Sequence, residues 1–192
     1  YGMEYELFSK LEHGDLDIEF DFMMAKGANS GIYLQSRYEI QLYDSWGKKS
    51  AKYNDLGGIY ERWNEAMPEG QKGYEGYAPR VNVAKAPGLW QHIKISFQAP
   101  RFDAAGKKIS NAKIVSINLN GITIHEDVEL SGVTRGAVSE QEVAKGPLRF
   151  QGDHGSLAIR NIQVNNFDKP AATLSNLEYK VYYGSYPETT DL

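Results

Sequence analysis

The stretch from Tyr38 to Tyr43 carries the clearest candidates for proton-transfer chemistry. Its apolar residues alternate with Glu39 and Gln41, so in a β-strand these two polar side chains share one face while the apolar set faces the core. Asp44 follows directly. A carboxyl group beside an amide, with a second carboxylate nearby, can work as a general acid/base pair. An ordinary solvent-facing strand shows the same alternation and is the alternative interpretation.

A second candidate cluster is the run Gln-Gly-Asp-His-Gly at residues 151–155. Its glycines allow a backbone to approach a ligand closely. His154 is of the one side-chain type that titrates near neutral pH without perturbation, and Asp153 could orient it. The same two residues could instead bind a cation, or simply serve the chemistry of a β-turn.

Composition excludes several other classes of chemistry. The 192 residues include no cysteine, which rules out thiol nucleophiles, disulfides and thiolate metal sites. With 21 Lys plus Arg against 25 Asp plus Glu, the net charge is −4, and no basic stripe predicts a nucleic-acid partner. No apolar run approaches the ~18 residues of a membrane span, and no phosphate-binding or dinucleotide-binding motif is present.

The elements that must position these residues are predicted to be β-strands. Period-two alternation or short apolar runs predict strands at 16–22, 32–34, 38–43, 92–97, 117–119, 122–124, 148–151 and 157–164. Asn120-Gly121 between two of them is typical of a type I′ hairpin turn. Many short strands with little helical periodicity indicate an all-β sandwich in a chain of one-domain length.

An ordered series of motifs resembles the 3-keto-disaccharide hydrolase family of bacterial proteins. The similarity runs through residues 29–34 (NSGIYL), 38–45 (YEIQLYDS), 57–60 (GGIY), 87–91 (PGLWQ), 118–121 (NLNG), 146–155 (GPLRFQGDHG) and 159–162 (IRNI). It covers about residues 5–168 in the right order. The resemblance implies a concanavalin A-like jelly-roll sandwich of two curved antiparallel sheets, with a ligand groove on the concave face. We therefore expect residues 1–168 to form this domain, and residues 169–192 to form a linker with an extra strand or the start of a further module.

The resemblance also implies cleavage of disaccharides or glycosides oxidised at sugar carbon 3. A C3 ketone acidifies the C2 proton, so a base can remove it while the C1 aglycone leaves with acid assistance, and water then adds back. Glu39 or His154 would be the base, and Asp44 the partner acid or the group that orients it. The expected substrate-binding residues are Asn29, Gln41, Gln151, Asp153 and Arg160 for polar groups, with Tyr33, Tyr60 and Trp63 as aromatic walls.

Two other functions compete with this enzyme. The same fold hosts lectins, so a non-catalytic carbohydrate-binding module of a secreted protein is the main alternative. The spacing Glu39-x-Gln41-x-x-Asp44 is similar to the Glu-x-Asp-x-x-Glu strand of retaining β-glucanases. Here Gln41 replaces the middle Asp and Asp44 the last Glu, which argues against a β-glucanase.

Cofactor, partner and location follow the same reasoning. No cofactor is expected, although a divalent cation near Asp44, Asp153 and His154 stays open. The expected partner is a carbohydrate substrate, with no nucleic acid and no membrane span; the sequence does not predict an oligomeric state. Because the sequence begins with Tyr1, an upstream piece is expected to have been removed, and cleavage of a signal peptide and trimming of the chain explain this equally. A periplasmic, extracellular or cell-surface bacterial location is expected.

Overall fold

The structure of the chain, a computed structural model, describes residues 6–152 and 154–167. Across these ranges it contains thirteen strands and no helix. The strands are β1 (Leu7–His13), β2 (Leu16–Met24), β3 (Asn29–Leu34), β4 (Tyr38–Tyr43), β5 (Arg62–Trp63), β6 (Gly73–Tyr74), β7 (Gln91–Gln98), β8 (Arg101–Phe102), β9 (Lys108–Ser110), β10 (Ala112–Leu119), β11 (Ile122–Leu130), β12 (Gly146–Phe150) and β13 (Leu157–Asn166). Asp153 and residues 169–192, which were expected to form a linker with an extra strand or the start of a further module, lie outside the described residues. With no helix in the described part, no helical segment there is long and apolar enough to cross a membrane.

Nine of these strands form two antiparallel sheets. The first sheet has the order β1-β12-β3-β4, and the second has the order β11-β10-β7-β2-β13. Their inner faces meet in one core, where the ring of Phe20 in the second sheet contacts that of Phe150 in the first at 5.5 Å. Tyr38 and Phe97 make a similar contact at 5.4 Å between centroids. The prediction of an all-β sandwich of antiparallel sheets is confirmed.

Alternation explains which side chains enter this core. On β2 the residues Leu16, Ile18, Phe20 and Phe22 are fully buried while the acidic residues between them face outward. Each large apolar side chain removed from water in this way contributes about 1.5–3 kcal/mol. The hairpin predicted at Asn120-Gly121 joins β10 to β11, and both residues have the positive φ angles that this turn requires.

Two segments outside the main strands cover the free edge of β4. Residues 57–60 run along it, since the amide of Gln41 donates to the carbonyl of Gly58 and the amide of Tyr60 donates to the carbonyl of Glu39. The Glu39 amide donates to the hydroxyl of Thr134, which belongs to a loop at 131–138. The segment at 62–80 contains the small β5–β6 hairpin. These additions enclose the outer face of the first sheet.

Candidate functional site

A row of side chains crosses the outer face of the first sheet and ends at Glu39. Strand register places Arg149 of β12 beside Tyr33 of β3, and Tyr33 beside Glu39 of β4. Tyr60 follows on the far side, because its amide is paired with the carbonyl of Glu39. Arg149, Tyr33 and Glu39 are almost fully buried although they point away from the core. Tyr60 is half-buried. The row is therefore a polar site enclosed by protein.

Glu39 is the titratable centre of this row. It is only 3 % exposed, and burial raises the pKa of its carboxyl to about 8, against the opposing effects of a hydrogen bond with Tyr33 and the positive charge of Arg149. Its oxygen lies over Gly31, where any side-chain carbon would collide with it. A carboxyl group with a pKa near neutrality can both take and return a proton at physiological pH.

Tyr33 is held on three sides. Its hydroxyl is the hydrogen-bond partner of Glu39, and burial followed by the charge of Glu39 raises the pKa of the phenol far above its usual range. The guanidinium of Arg149 lies 3.6 Å from the ring centroid. Gly136 approaches the hydroxyl so closely that a Cβ there would be 2.9 Å from it, and its φ of +82° also favours glycine. The phenol is thus held beside Glu39, where its interaction lowers the pKa of that carboxyl.

Arg149 is buried and has several partners besides Tyr33. Its Nη2 donates to the carbonyl of Gly136 at 2.7 Å. Its Nε lies 3.5 Å from an oxygen of Glu6, whose side chain is also buried. Arg149 was not among the residues expected at the site. Its position between the core residues Leu148 and Phe150 predicts that its side chain points outward from the core, as that of Glu39 does.

Amide groups adjoin this row on the next register positions. Gln41 donates from Nε2 to Oδ1 of Asn29 at 2.6 Å, and Gln41 is 4 % exposed. The backbone amide of Asn29 donates to the carbonyl of His154 at 3.2 Å. The backbone of Gln151 pairs with that of Gly31 at 2.9 Å. The structure thus brings four predicted residues alongside the row: Asn29, Gln41, Gln151 and His154.

Both carboxylate oxygens of Asp44 accept hydrogen bonds from backbone amides. One oxygen accepts from Gly27 at 2.8 Å and the other from Trp46 at 3.3 Å. The contact with Gly27 ties the end of β4 to the turn between β2 and β3. Its predicted role as partner acid to Glu39 stays a prediction, as does the base role considered for His154.

Aromatic side chains line the exposed end of the row. The ring of Tyr60 contacts that of Tyr53 at 5.7 Å, and burial together with the charges of Glu39 and Glu61 raises the pKa of Tyr60. Trp63 donates from Nε1 to Glu65 at 2.7 Å, and the guanidinium of Arg135 lies 3.7 Å from its ring centroid. The face of Trp63 that Arg135 covers is therefore closed to a sugar in this arrangement.

Arg160 is not brought together with the other predicted residues. It belongs to β13, in the second sheet, where its Nε donates to Asp21 at 3.2 Å and its guanidinium stacks on Trp90 at 3.8 Å. The outer faces of the two sheets lie on opposite sides of the core. The family resemblance implied that Arg160 shares a site with these residues, but the chain crosses to the other sheet between Phe150 and Leu157.

No set of three or more His, Asp or Glu side chains is placed to hold a metal ion in residues 6–152 and 154–167. Asp153, one of the three residues considered for a cation, is not in those ranges.

The loop residues Thr134 and Gly136 were missed by sequence reasoning, because no pattern links a loop at 131–138 to a strand almost a hundred residues earlier.

Comparisons with known proteins agree with this architecture. Two crystal structures of putative glycosyl hydrolases from Parabacteroides distasonis share the fold. One has a TM-score of 0.62 and 21 % identity over 84 % of this chain and 68 % of that chain. The other has a TM-score of 0.55 and 20 % identity over 84 % of this chain and 83 % of that chain. No curated protein sequence matches. A family model described as a 3-keto-alpha-glucoside-1,2-lyase-like domain matches residues 3–165, and the chain belongs to that family.

Proposed function

We propose that this protein cleaves glycosides that carry a ketone at sugar carbon 3, with Glu39 as the proton-transfer group. The observation that carries the proposal is the buried Glu39 carboxyl with a pKa near 8, between the phenols Tyr33 and Tyr60. Family membership supports a carbohydrate-directed activity. The ketone supplies what the site needs, because it makes the C2 proton acidic enough for a carboxylate base.

The proposed reaction is an elimination followed by hydration. Ionised Glu39 removes the C2 proton, the C2–H electrons form the C1–C2 double bond, and the C1–O bond breaks. The aglycone oxygen leaves with a proton as an alcohol. Water then adds across the double bond, which restores a 3-keto sugar and makes the net result a hydrolysis. No covalent intermediate with the protein is needed.

The surrounding residues have matching roles in this proposal. Once it has taken the C2 proton, Glu39 is a neutral acid that can hand it to the leaving oxygen, so one carboxyl could serve both steps. Tyr60 is half-buried and can donate to the oxygen on which negative charge develops. Gln41 and Asn29 present amides for sugar hydroxyls. Asp44 or His154 would assist proton transfer.

A product assay tests this function. The chain is incubated with 3-keto-trehalose and, in parallel, with unoxidised trehalose, with and without a chelator, and released sugar is measured. We expect release from the oxidised sugar alone. Binding of the oxidised sugar without release would contradict the proposal and favour a carbohydrate-binding module. Loss of release with the chelator would show that a divalent cation takes part.

A further inference from the structure

Arg149 is a buried cation on the outer face of the first sheet. Its guanidinium is buried against the Tyr33 ring, the Gly136 carbonyl and the Glu6 carboxyl. It makes no ion pair with Glu39 in the described structure, although both lie in one row across three strands. The Tyr33 ring stands between them. Arg149 therefore acts on Glu39 through its charge and through this phenol.

Each element packed against Glu39 contributes one polar or charged group. β3 contributes the Tyr33 phenol, β12 contributes the Arg149 cation, and the residue before β1 contributes the Glu6 carboxyl. The segment at 57–60 contributes the Tyr60 phenol, and the loop at 131–138 contributes the uncharged hydroxyl of Thr134. In this described set Arg149 is the single cation. Ionised Glu39 thus depends on it for charge balance at a buried position.

A cation over the face of a phenol ring makes the hydroxyl a stronger hydrogen-bond donor, because the positive charge stabilises electron density that has moved toward the oxygen's hydrogen-bond partner. The positive charge of Arg149 acts in this direction on Tyr33. A stronger donor holds an ionised carboxylate better than a neutral carboxyl group. The geometry also fixes the donor, since Gly136 contacts both Arg149 and Tyr33.

We propose that Arg149 is a positioning residue, which acts through the Tyr33 phenol to hold the Glu39 carboxyl in place and to balance its charge when it is ionised. The proposal rests on the proposed function only where it predicts rates. Its structural part, the coupling of Arg149 to the ionisation of Glu39, stands without a substrate.

The direct test is the titration of Glu39 itself. Protein with ¹³C-labelled glutamate carboxyls is titrated by NMR, and the Glu39 signal is assigned by its loss in Glu39→Gln. In Arg149→Met the Glu39 midpoint is expected to rise by about one pH unit or more. Arg149→Lys keeps the charge without the planar stack and should show a smaller rise. Glu6→Gln should move the midpoint the other way, because Glu6 raises the pKa of Glu39.

Tyr33→Phe tests the route of the coupling. On its own it should also raise the midpoint, since the carboxylate loses its phenol donor. In the Tyr33→Phe background, Arg149→Met should add clearly less than it does in the unchanged chain. An unchanged midpoint in folded Arg149→Met would overturn the proposal. An equal shift in both backgrounds would overturn the role of Tyr33.

Activity gives a second readout that a merely structural role would not produce. If ionised Glu39 is the base, a midpoint raised by one unit from about 8 lowers kcat/KM at pH 7 by about tenfold. The rates of Arg149→Met and the unchanged chain should converge well above both midpoints. A pH-independent loss would contradict the proposal. A moved midpoint in a chain without any cleavage would leave the coupling standing and refute the proposed function alone.

Discussion

The outer faces of the two sheets begin from the same sequence pattern and end in opposite environments. β2 and β4 both alternate apolar residues with polar ones, and both bury the apolar set in the common core. On β2 the outward side chain of Glu19 is 29 % exposed. On β4 the outward residue Glu39 is 3 % exposed. The difference lies in what covers each strand.

On the second sheet the polar residues neutralise one another in contact with water. Asp21 accepts from His92 at 2.9 Å, Asn161 at 2.8 Å and Arg160 at 3.2 Å, and these contacts, with His92 foremost, lower the pKa of its carboxyl. Exposed pairs of this kind add little to stability, since water and salt screen them. This face is an ordinary solvent-facing surface.

On the first sheet the polar residues are removed from water. The segment at 57–60 and the loop at 131–138 cover the edge of β4, and Arg149 and Tyr33 flank Glu39 from within the sheet. Burial of this kind is costly unless it is compensated, and it perturbs protonation, as enzymes exploit. The cover over a strand, rather than its alternation, therefore distinguishes a buried functional site from a solvent-facing surface.

The largest expected effect comes from exchanging one carboxyl on each face. Glu39→Gln should lower the rate of 3-keto-glycoside cleavage by at least about 100-fold, because the proton-transfer group is lost. The matched variant Glu19→Gln should leave the rate unchanged. Steady-state rates on the oxidised sugar, with circular dichroism to confirm folding, make the measurement. Full activity of Glu39→Gln would remove Glu39 from the mechanism and erase the functional contrast between the faces.

The next effect is on the pH dependence of stability. Folding raises the pKa of Glu39 from 4.5 to about 8, so between these values the folded chain binds more protons than the unfolded chain. The free energy of unfolding should therefore fall with rising pH in this window, by about 1 kcal/mol per pH unit. Urea titrations at several pH values should show this slope reduced in Glu39→Gln and retained in Glu19→Gln. Equal slopes in the two variants would mean that Glu39 is not buried as described.

The smallest effect concerns a histidine that supports the cover of β4. His125 is buried, its Nε2 lies 2.9 Å from the carbonyl of Gly57, and burial lowers its pKa from 6.5 to about 4. Between these pH values the unfolded chain binds more protons than the folded chain. The free energy of unfolding should therefore fall as the pH drops through this window, with a slope similar in size and opposite in sign to that for Glu39, over a narrower range. Unfolding of His125→Asn should lose this dependence, while His92→Asn, altered on the exposed face, should keep it. Retention of the full dependence in His125→Asn would show that another group is responsible.

Much of the fold could be predicted from the residues themselves. The alternation on β2, β4 and β7 predicted their strands and buried faces, and Asn120-Gly121 predicted the hairpin. Glu39 was selected because its residue type and face suit proton transfer, and the structure encloses it. Arg160 was grouped with this site because the family resemblance implied it, and the structure puts it on the other sheet.

The residue pattern alone specifies the strands, the apolar and polar faces of each strand, and the kinds of chemistry that a cysteine-free chain can use. Local periodicity is enough for these, because neighbours two residues apart share a face. Only the tertiary structure decided that Glu39 is buried beside Tyr33 and Arg149, since strand order and loop cover join segments more than a hundred residues apart. The protonation of a carboxyl depends on that long-range cover, which alternation within one strand does not specify.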